Sequence, residues 1–252
     1  MANTRKISAL KKIKHLAYPF RNTPFHPQWF SYRHNNDIHS GITGNSSGLV
    51  LDIGCGTGIH KKFLGKECSY YGLDLPFTSI NWYGTRPDVY GTADALPFRD
   101  CCVSTVLLLD VLEHLKSPNN CLNEINRTLS PGGILIVKIP FIYPIHDAPL
   151  DYNRWTEHGL LHLFNEHKFE VIDVRKYGLP LETAALMLCI AISKHTVNWF
   201  TRKNPLFILG LMLCTIIPVI NLGAWVLGRA GKKDYMMPHT YSCILKKTKN
   251  NR

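Results

Sequence analysis

The residues richest in chemistry form one run, Asp52-Ile53-Gly54-Cys55-Gly56-Thr57-Gly58, behind the apolar stretch Leu49-Val50-Leu51. Glycines at alternate positions let the chain turn sharply and leave no side chain between backbone and ligand, while free amides at the start of a following helix favour a carboxylate. Such a turn could serve several nucleotides. A dinucleotide fingerprint needs its third glycine one position later, where this chain has Ile59, so hydride transfer loses its main support. Two more carboxylates stand at matching places: Asp74 ends Tyr70-Tyr71-Gly72-Leu73-Asp74, and Asp94 opens Asp94-Ala95-Leu96-Pro97-Phe98. The first can accept both hydroxyls of a ribose; the second can sit near an adenine amino group with apolar neighbours against the ring. Singly, each passes for a strand-end or turn residue. Three at successive strand ends suit an adenosine with an anionic tail.

Together with Asp110-Val111-Leu112-Glu113-His114-Leu115 and Leu129-Ser130-Pro131-Gly132-Gly133, these segments resemble the class I S-adenosylmethionine-dependent methyltransferases, specifically the small-molecule branch called type 11, over roughly Val50 to Lys176. The resemblance implies S-adenosylmethionine as cofactor. It implies Asp52, Gly54, Cys55, Gly56 and Gly58 around the methionine part, Asp74 at the ribose with Leu75 beside it, and Asp94 with Ala95 at the adenine. Asp110 and His114 would border the sulfonium. It also implies an α/β, Rossmann-like sheet of seven strands whose last strand inserts antiparallel between the fifth and sixth.

Methyl transfer displaces at an already activated sulfonium, so the protein must align, exclude water and, for an oxygen acceptor, take a proton. The segment from Pro140 to Thr156 is dense in aromatic and ionisable groups and follows the fifth predicted strand, at the sheet edge where ligands bind. His146 is the candidate general base or acceptor-orienting group, Asp151 its partner or substitute, and Arg154 a partner for an anionic part of the substrate. The plainer reading is local: an Asp151–Arg154 salt bridge and Thr156 capping the next helix. Nucleobase-amine methyltransferases usually carry Asn or Asp, then Pro-Pro and an aromatic, where this chain has Asp110-Val111-Leu112-Glu113, so a nucleic-acid amine acceptor is disfavoured. His158 and His162 share a helix face, but Gly159 stands where a metalloprotease has Glu. There is no Cys-x-x-Cys pair and no signal-type apolar run; Cys55 and Cys101-Cys102 read as small, partly buried residues. No metal site is predicted, and a reducing, cytosolic setting is expected.

The elements that must position these groups alternate as in a parallel sheet with helices on both faces. Strands are predicted at Leu49–Ile53, Tyr70–Asp74, Val89–Thr92, Val103–Leu109, Ile134–Ile139, Phe169–Lys176 and Tyr241–Lys247, and helices at His60–Gly65, Asn119–Leu129 and Thr156–His167. Residues 179–238 break the rhythm: Leu181–Ile192 is apolar, a polar interval with Lys194, His195, Arg202 and Lys203 follows, and Leu206–Gly228 carries no charge. The last run is long enough to cross a bilayer. A single crossing would strand the final strand on the wrong side, so the segment is expected to re-enter, bending at Pro218, or to lie along the interface; a helical cap buried on the domain or against a second copy is the alternative.

Of 252 residues, 29 are Lys or Arg and 18 Asp or Glu, a net +11, with seven cations from Arg5 to Arg33 before the first acid, Asp37. Ile7, Leu10, Ile13, Leu16 and Ala17 recur between them at helical spacing, as in a basic amphipathic helix on an anionic membrane face; a solvated arm and a nucleic-acid contact are the competing readings. Four stretches result: 1–47 basic and amphipathic, 48–178 cofactor-binding, 179–238 membrane-associated, 239–252 final strand and tail. The expected function is O-methylation of a membrane-associated glycan, lipid or isoprenoid at the cytoplasmic face. A non-catalytic scaffold and a nucleic-acid methyltransferase stand behind it.

Overall fold

The computed structural model describes residues 18–248. Seven strands, β1 (Leu49–Ile53), β2 (Ser69–Asp74), β3 (Val89–Tyr90), β4 (Val103–Leu109), β5 (Leu129–Pro140), β6 (Phe169–Tyr177) and β7 (Thr240–Lys247), form one sheet in the order β3-β2-β1-β4-β5-β7-β6. Consecutive buried positions in β1 and β4 mark strands covered on both faces, as parallel strands must be. β1 runs parallel to β2 and β4, and β4 to β5. β7 runs antiparallel to β5, from Ile134 opposite Lys246 to Pro140 opposite Thr240. The last strand therefore inserts where the resemblance implied. Chain order reverses between β1 and β4, so their carboxyl ends open the crevice where such sheets bind ligands. Leu51, Ile53, Val106, Leu108, Leu135 and Val137 form the core with helical side chains such as Leu122, Ile125 and Phe164.

Three helices, α1 (Asn35–Asn45), α2 (Pro118–Thr128) and α3 (Glu157–Glu166), accompany the sheet. The sequence reading missed α1, whose only buried side chains are Ile38 and Ile42, four apart on one face of an otherwise polar segment. The helix expected at His60–Gly65 is a 3-10 turn over Ile59–Phe63, and β3 shrinks to two residues. Ser130-Pro131-Gly132-Gly133 does not lie outside the strand as expected. Val103 pairs with Leu129 and Thr105 with Ile134, so these residues bulge from β5, with Gly132 at φ +78° and a Cβ on Gly133 brought to 2.9 Å from the Ser130 carbonyl.

The described residues fall into two compact units: residues 36–176 with 240–248, and residues 18–35 with 177–239. The helical segment expected around Ile7 to Ala17 lies outside the described residues. In the second unit α4 (Pro180–Thr201) runs unbroken through Lys194 and His195, followed by α5 (Phe207–Cys214) and α6 (Ile217–Leu227). At 22 residues α4 is about 33 Å long. α5 and α6 lead back along it. Gly210 lies against Thr196, the Cys189 thiol is 3.6 Å from Asn221 Oδ1, and Arg229 bonds Glu182. The break falls at Thr215–Ile216, leaving Pro218 in the first turn of α6 where its missing N–H is harmless. His239 N donates to Tyr177 O at 2.8 Å, so the insertion returns to its starting point. Asn221 ties the N-terminal segment in, donating to Pro24 O (2.7 Å) and His26 O (3.2 Å).

Candidate active site

The loop after β1 holds three glycines in the left-handed region, Gly54 at φ +69°, Gly56 at +54° and Gly58 at +67°. A Cβ on Gly54 would come 2.5 Å from Val111 Cγ2, and one on Gly56 would touch the Tyr83 ring at 3.4 Å. The segment after β4 thus lies directly on the segment after β1. Gly54 N and Cys55 N donate to Leu73 O (2.8 and 3.1 Å). Asp74 locks the turn: its Oδ2 accepts from Gly56 N (2.8 Å), and its Oδ1 from Leu75 N (2.7 Å) and the Thr78 hydroxyl. A carboxylate offers about four lone-pair sites, so capacity for a further donor remains.

Asp52 is buried (1% exposed) and accepts from the Tyr70 hydroxyl at 2.8 Å. Burial pushes its carboxyl up to about 7; the Tyr70 bond opposes this and the Asp74 charge adds to it. The same burial and acidic neighbours push the Cys55 thiol up to about 12, which leaves it inert as a nucleophile. Asp94 and Ala95 are exposed in a turn closed by the Thr92–Ala95 bridge, with Leu96 buried beneath. Leu75 is partly exposed beside Asp74. Asp110 is exposed, at φ +55°, and paired to Lys138 Nζ at 2.6 Å. The Tyr83 hydroxyl is raised by burial and by the charges of Asp147, Asp74 and Asp110, which places the ring within electrostatic reach of both loops. Cys101 is exposed, at φ +54°, contrary to the expected partial burial, because it occupies a turn before β4.

The acceptor-side residues do converge. His146 Nδ1 is 3.2 Å from Asp151 Oδ2, and His146 N donates to the same oxygen at 2.9 Å. Arg154 grips Asp151 with both terminal nitrogens, Nη1 on Oδ1 and Nη2 on Oδ2 (2.8 Å), and Nη1 also donates to Asn153 O. These bonds overcome the desolvation of Asp151 and hold its carboxyl down at about 2. The guanidinium thus holds Asp151 beside His146, and its Nη2 also lies 3.4 Å from His146 Nδ1. Thr156 accepts from Gly159 N at 3.2 Å and caps α3, so the plainer local reading is realised alongside the His146 contact.

Glu113 was quoted in the sequence motif without a role, and it sits at the centre. Its side chain is fully buried, and neither carboxylate oxygen has a hydrogen-bond partner among the described residues. His146 Nε2 lies 3.7 Å and His114 Nε2 3.8 Å from its Oε1, and the two rings meet edge to face with centroids 4.9 Å apart. The donor atoms of Glu113, His114 and His146 all fall within 4.8 Å of one another. Burial raises the Glu113 carboxyl; the neighbouring Glu113, with Asp151 and Asp147, raises His146 against its own desolvation. The signal available in the sequence was an acid inside an apolar strand end, Leu109 to Leu115, where an unpaired charge is costly. Tyr83 and Lys138 carried no comparable signal, since long-range packing alone brings them in, whereas Thr78 reaches Asp74 from only four residues along the chain.

The family model described as a methyltransferase domain matches residues 51–137. Among curated proteins, a tRNA U34 carboxymethyltransferase of Pseudoalteromonas atlantica is 28% identical over 138 residues, 48% of this chain and 42% of that protein. A Mycolicibacterium smegmatis protein named as an S-adenosylmethionine-dependent methyltransferase is 29% identical over 157 residues, 58% of this chain and 60% of its own. The chain thus spans about half the length of the curated relatives it matches. Among solved structures, the 4+2 cyclase SpnF superposes with TM-score 0.55 at 17% identity, covering 86% of this chain and 80% of the cyclase. A Galdieria sulphuraria protein assigned as a sarcosine dimethylglycine methyltransferase gives 0.53 at 20% identity, covering 86% of each chain. One fold spans these proteins, so the reaction must be argued from the site.

Proposed function

We propose that this chain, a class I methyltransferase fold whose residues 51–137 match the methyltransferase domain, is an S-adenosylmethionine-dependent methyltransferase acting on an oxygen acceptor. Members of that family use S-adenosylmethionine. The observation that carries the reading is the joining of two half-sites: a glycine turn locked by Asp74, and the His146 cluster, which meet through the Val111-to-His114 segment lying on Gly54. The turn fits the cofactor because side chains are excluded where its tail would lie, and Asp74 keeps acceptor capacity at the ribose.

When bound, the cofactor supplies a methyl group on a sulfonium. Asp52 and the side-chain-free turn from Gly54 to Gly58 would surround its methionine part, Asp74 and Leu75 would hold the ribose, and Asp94 with Ala95 the adenine. Asp110 and His114 border the reacting end. His146, positioned by Asp151, orients the acceptor hydroxyl or takes its proton. Arg154 acts through Asp151.

The acceptor we favour is a glycan, lipid or isoprenoid at the cytoplasmic membrane face. Support comes from the stretch Phe207–Leu227, with mean hydropathy 2.2 and only 17% of its most apolar window buried, exposing Ile208, Leu211, Met212 and Val219. Arg202 and Lys203 at the hairpin turn suit an interfacial position better than a deep one. A nucleic-acid acceptor is the second reading, favoured by the net charge of +11 and by relatives named for tRNA modification. Calorimetry in detergent, followed by incubation with labelled cofactor and either lipid extract or tRNA, separates them: label in the lipid fraction is expected. Label in tRNA alone would move the acceptor to nucleic acid. Cofactor affinity with label in neither fraction would point to a scaffold, and absence of cofactor binding would end the enzymatic reading.

A further inference from the structure

We propose that Glu113, His114 and His146 bind one divalent first-row transition-metal ion, and that an oxygen of the acceptor completes its coordination, so that with the ion bound His146 orients the acceptor and does not act as its base. The first half stands on the cluster alone; the second rests on the methyltransferase reading above.

Three observations converge. A fully buried carboxylate has both oxygens without a hydrogen-bond partner among the described residues, an arrangement that calls for a neutralising proton or cation. Two imidazoles face it, and their tautomers follow from their other nitrogens. His114 Nδ1 is 2.8 Å from Leu150 O, which can only accept, so that nitrogen carries the proton and Nε2 the lone pair. His146 Nδ1 has two acceptors nearest it, Asp151 Oδ2 at 3.2 Å and Pro144 O at 3.3 Å, and the Arg154 Nη2 donor farther off at 3.4 Å, a setting that favours the proton on Nδ1. Both lone pairs then point at a carboxylate oxygen, at 3.8 and 3.7 Å, which is repulsive unless something positive lies between them. Metal-ligating histidines are held in this way, the far nitrogen donating to a carbonyl or carboxylate.

The spacing suits an ion. Bonds of about 2.0 to 2.2 Å from nitrogen and oxygen place tetrahedral donors roughly 3.5 Å apart, so donors now within 4.8 Å need only small side-chain rotations. The ligands are preorganised by backbone bonds. Glu113 O accepts from Tyr152 N (2.9 Å) and Asn153 N (3.1 Å), and Asn153 Nδ2 donates to Leu115 O (2.7 Å), clasping the two ligand-bearing segments. Three protein donors leave a position open for an acceptor oxygen, as in catalytic sites. Two imidazoles and one carboxylate favour zinc, cobalt, manganese or iron over magnesium and calcium, which prefer all-oxygen shells.

Cobalt(II) serves as the probe. The full chain, stripped with chelator in detergent and dialysed against Co2+, should take up one ion per chain with ligand-field absorption. Glu113→Gln and His146→Asn should each weaken uptake at least tenfold, while His162→Ala, on the exposed face of α3, should not. Co2+ should also raise the unfolding midpoint of the parent chain and not that of Glu113→Gln. No saturable uptake, or uptake unchanged in both ligand variants, overturns the site. If Glu113→Gln does not fold, His146→Asn, at a partly exposed position, decides. S-adenosylmethionine titration of the same samples separates the failures: lost uptake with intact cofactor affinity sinks the metal and spares the methyltransferase, and the reverse result does the opposite.

Discussion

Replacing Gly54 by Ala tests whether the two loops that build the site are seated on each other. At φ +69° an L-residue pays about 1–2 kcal/mol for the left-handed conformation. The new Cβ would stand 2.5 Å from Val111 Cγ2, so one segment must move, an overpacking cost of about 1–3 kcal/mol. The sum, roughly 2–5 kcal/mol, is a large share of a domain stability of about 5–15 kcal/mol. It lowers the unfolding midpoint by roughly 5–20 °C. Val111→Ala should relieve the steric part and leave the backbone part. Urea unfolding of Gly54→Ala, Val111→Ala and the double variant gives the coupling, expected at about 1–3 kcal/mol in the sense that the double variant is less destabilised than the sum. Cofactor affinity, followed by calorimetry, should fall in Gly54→Ala and recover in part in the double variant. Strict additivity in both measurements would mean that Val111 does not seat the glycine turn, and the joining of the half-sites would fail with it.

Asp52 should make stability depend on pH. Its native carboxyl near 7, against an ordinary 3.8, means the folded chain keeps a proton the unfolded chain has released, so stability falls as pH rises from about 4 and levels above about 7. The ceiling is about 4 kcal/mol, and Asp52→Asn should flatten that part of a urea-midpoint profile taken between pH 5 and 8; an unchanged slope refutes the assignment. Asp74→Asn exchanges an acceptor for a donor against Gly56 N and Leu75 N, and calorimetry should show cofactor affinity lowered by about 1–3 kcal/mol. Arg229→Met leaves the buried Glu182 carboxylate without its cation, and limited proteolysis should cut within 202–233 faster than in the parent chain, whereas Glu182→Gln should be milder. Ile208→Glu with Met212→Glu should abolish flotation with anionic vesicles; persistence of flotation would remove the hairpin from the membrane argument.

What the sequence disclosed followed the range over which its signals act. Strand ends and the glycine turn are local patterns, so β1, β2, β4 and the turn after β1 could be read directly, and the family pattern supplied the antiparallel seat of β7. Contacts between segments distant in sequence were illegible. Val111 on Gly54, Lys138 on Asp110 and Tyr83 over Gly56 exist only once the sheet has formed. The misread elements fail for a related reason: α1 has just two core residues to announce it, and the glycines at 132 and 133, which resemble a stop, serve a bulge because β4 continues alongside. The same reasoning explains why the insertion forms a hairpin. An apolar stretch of 21 residues reads as a crossing by length alone. Yet β7 must pair with β5, and the partners along α4, namely Thr196, Cys189 and Glu182, meet Gly210, Asn221 and Arg229 in reverse order. The sheet's demand for its last strand fixes the return of the chain, and the hairpin offers its apolar side chains outward on the way back.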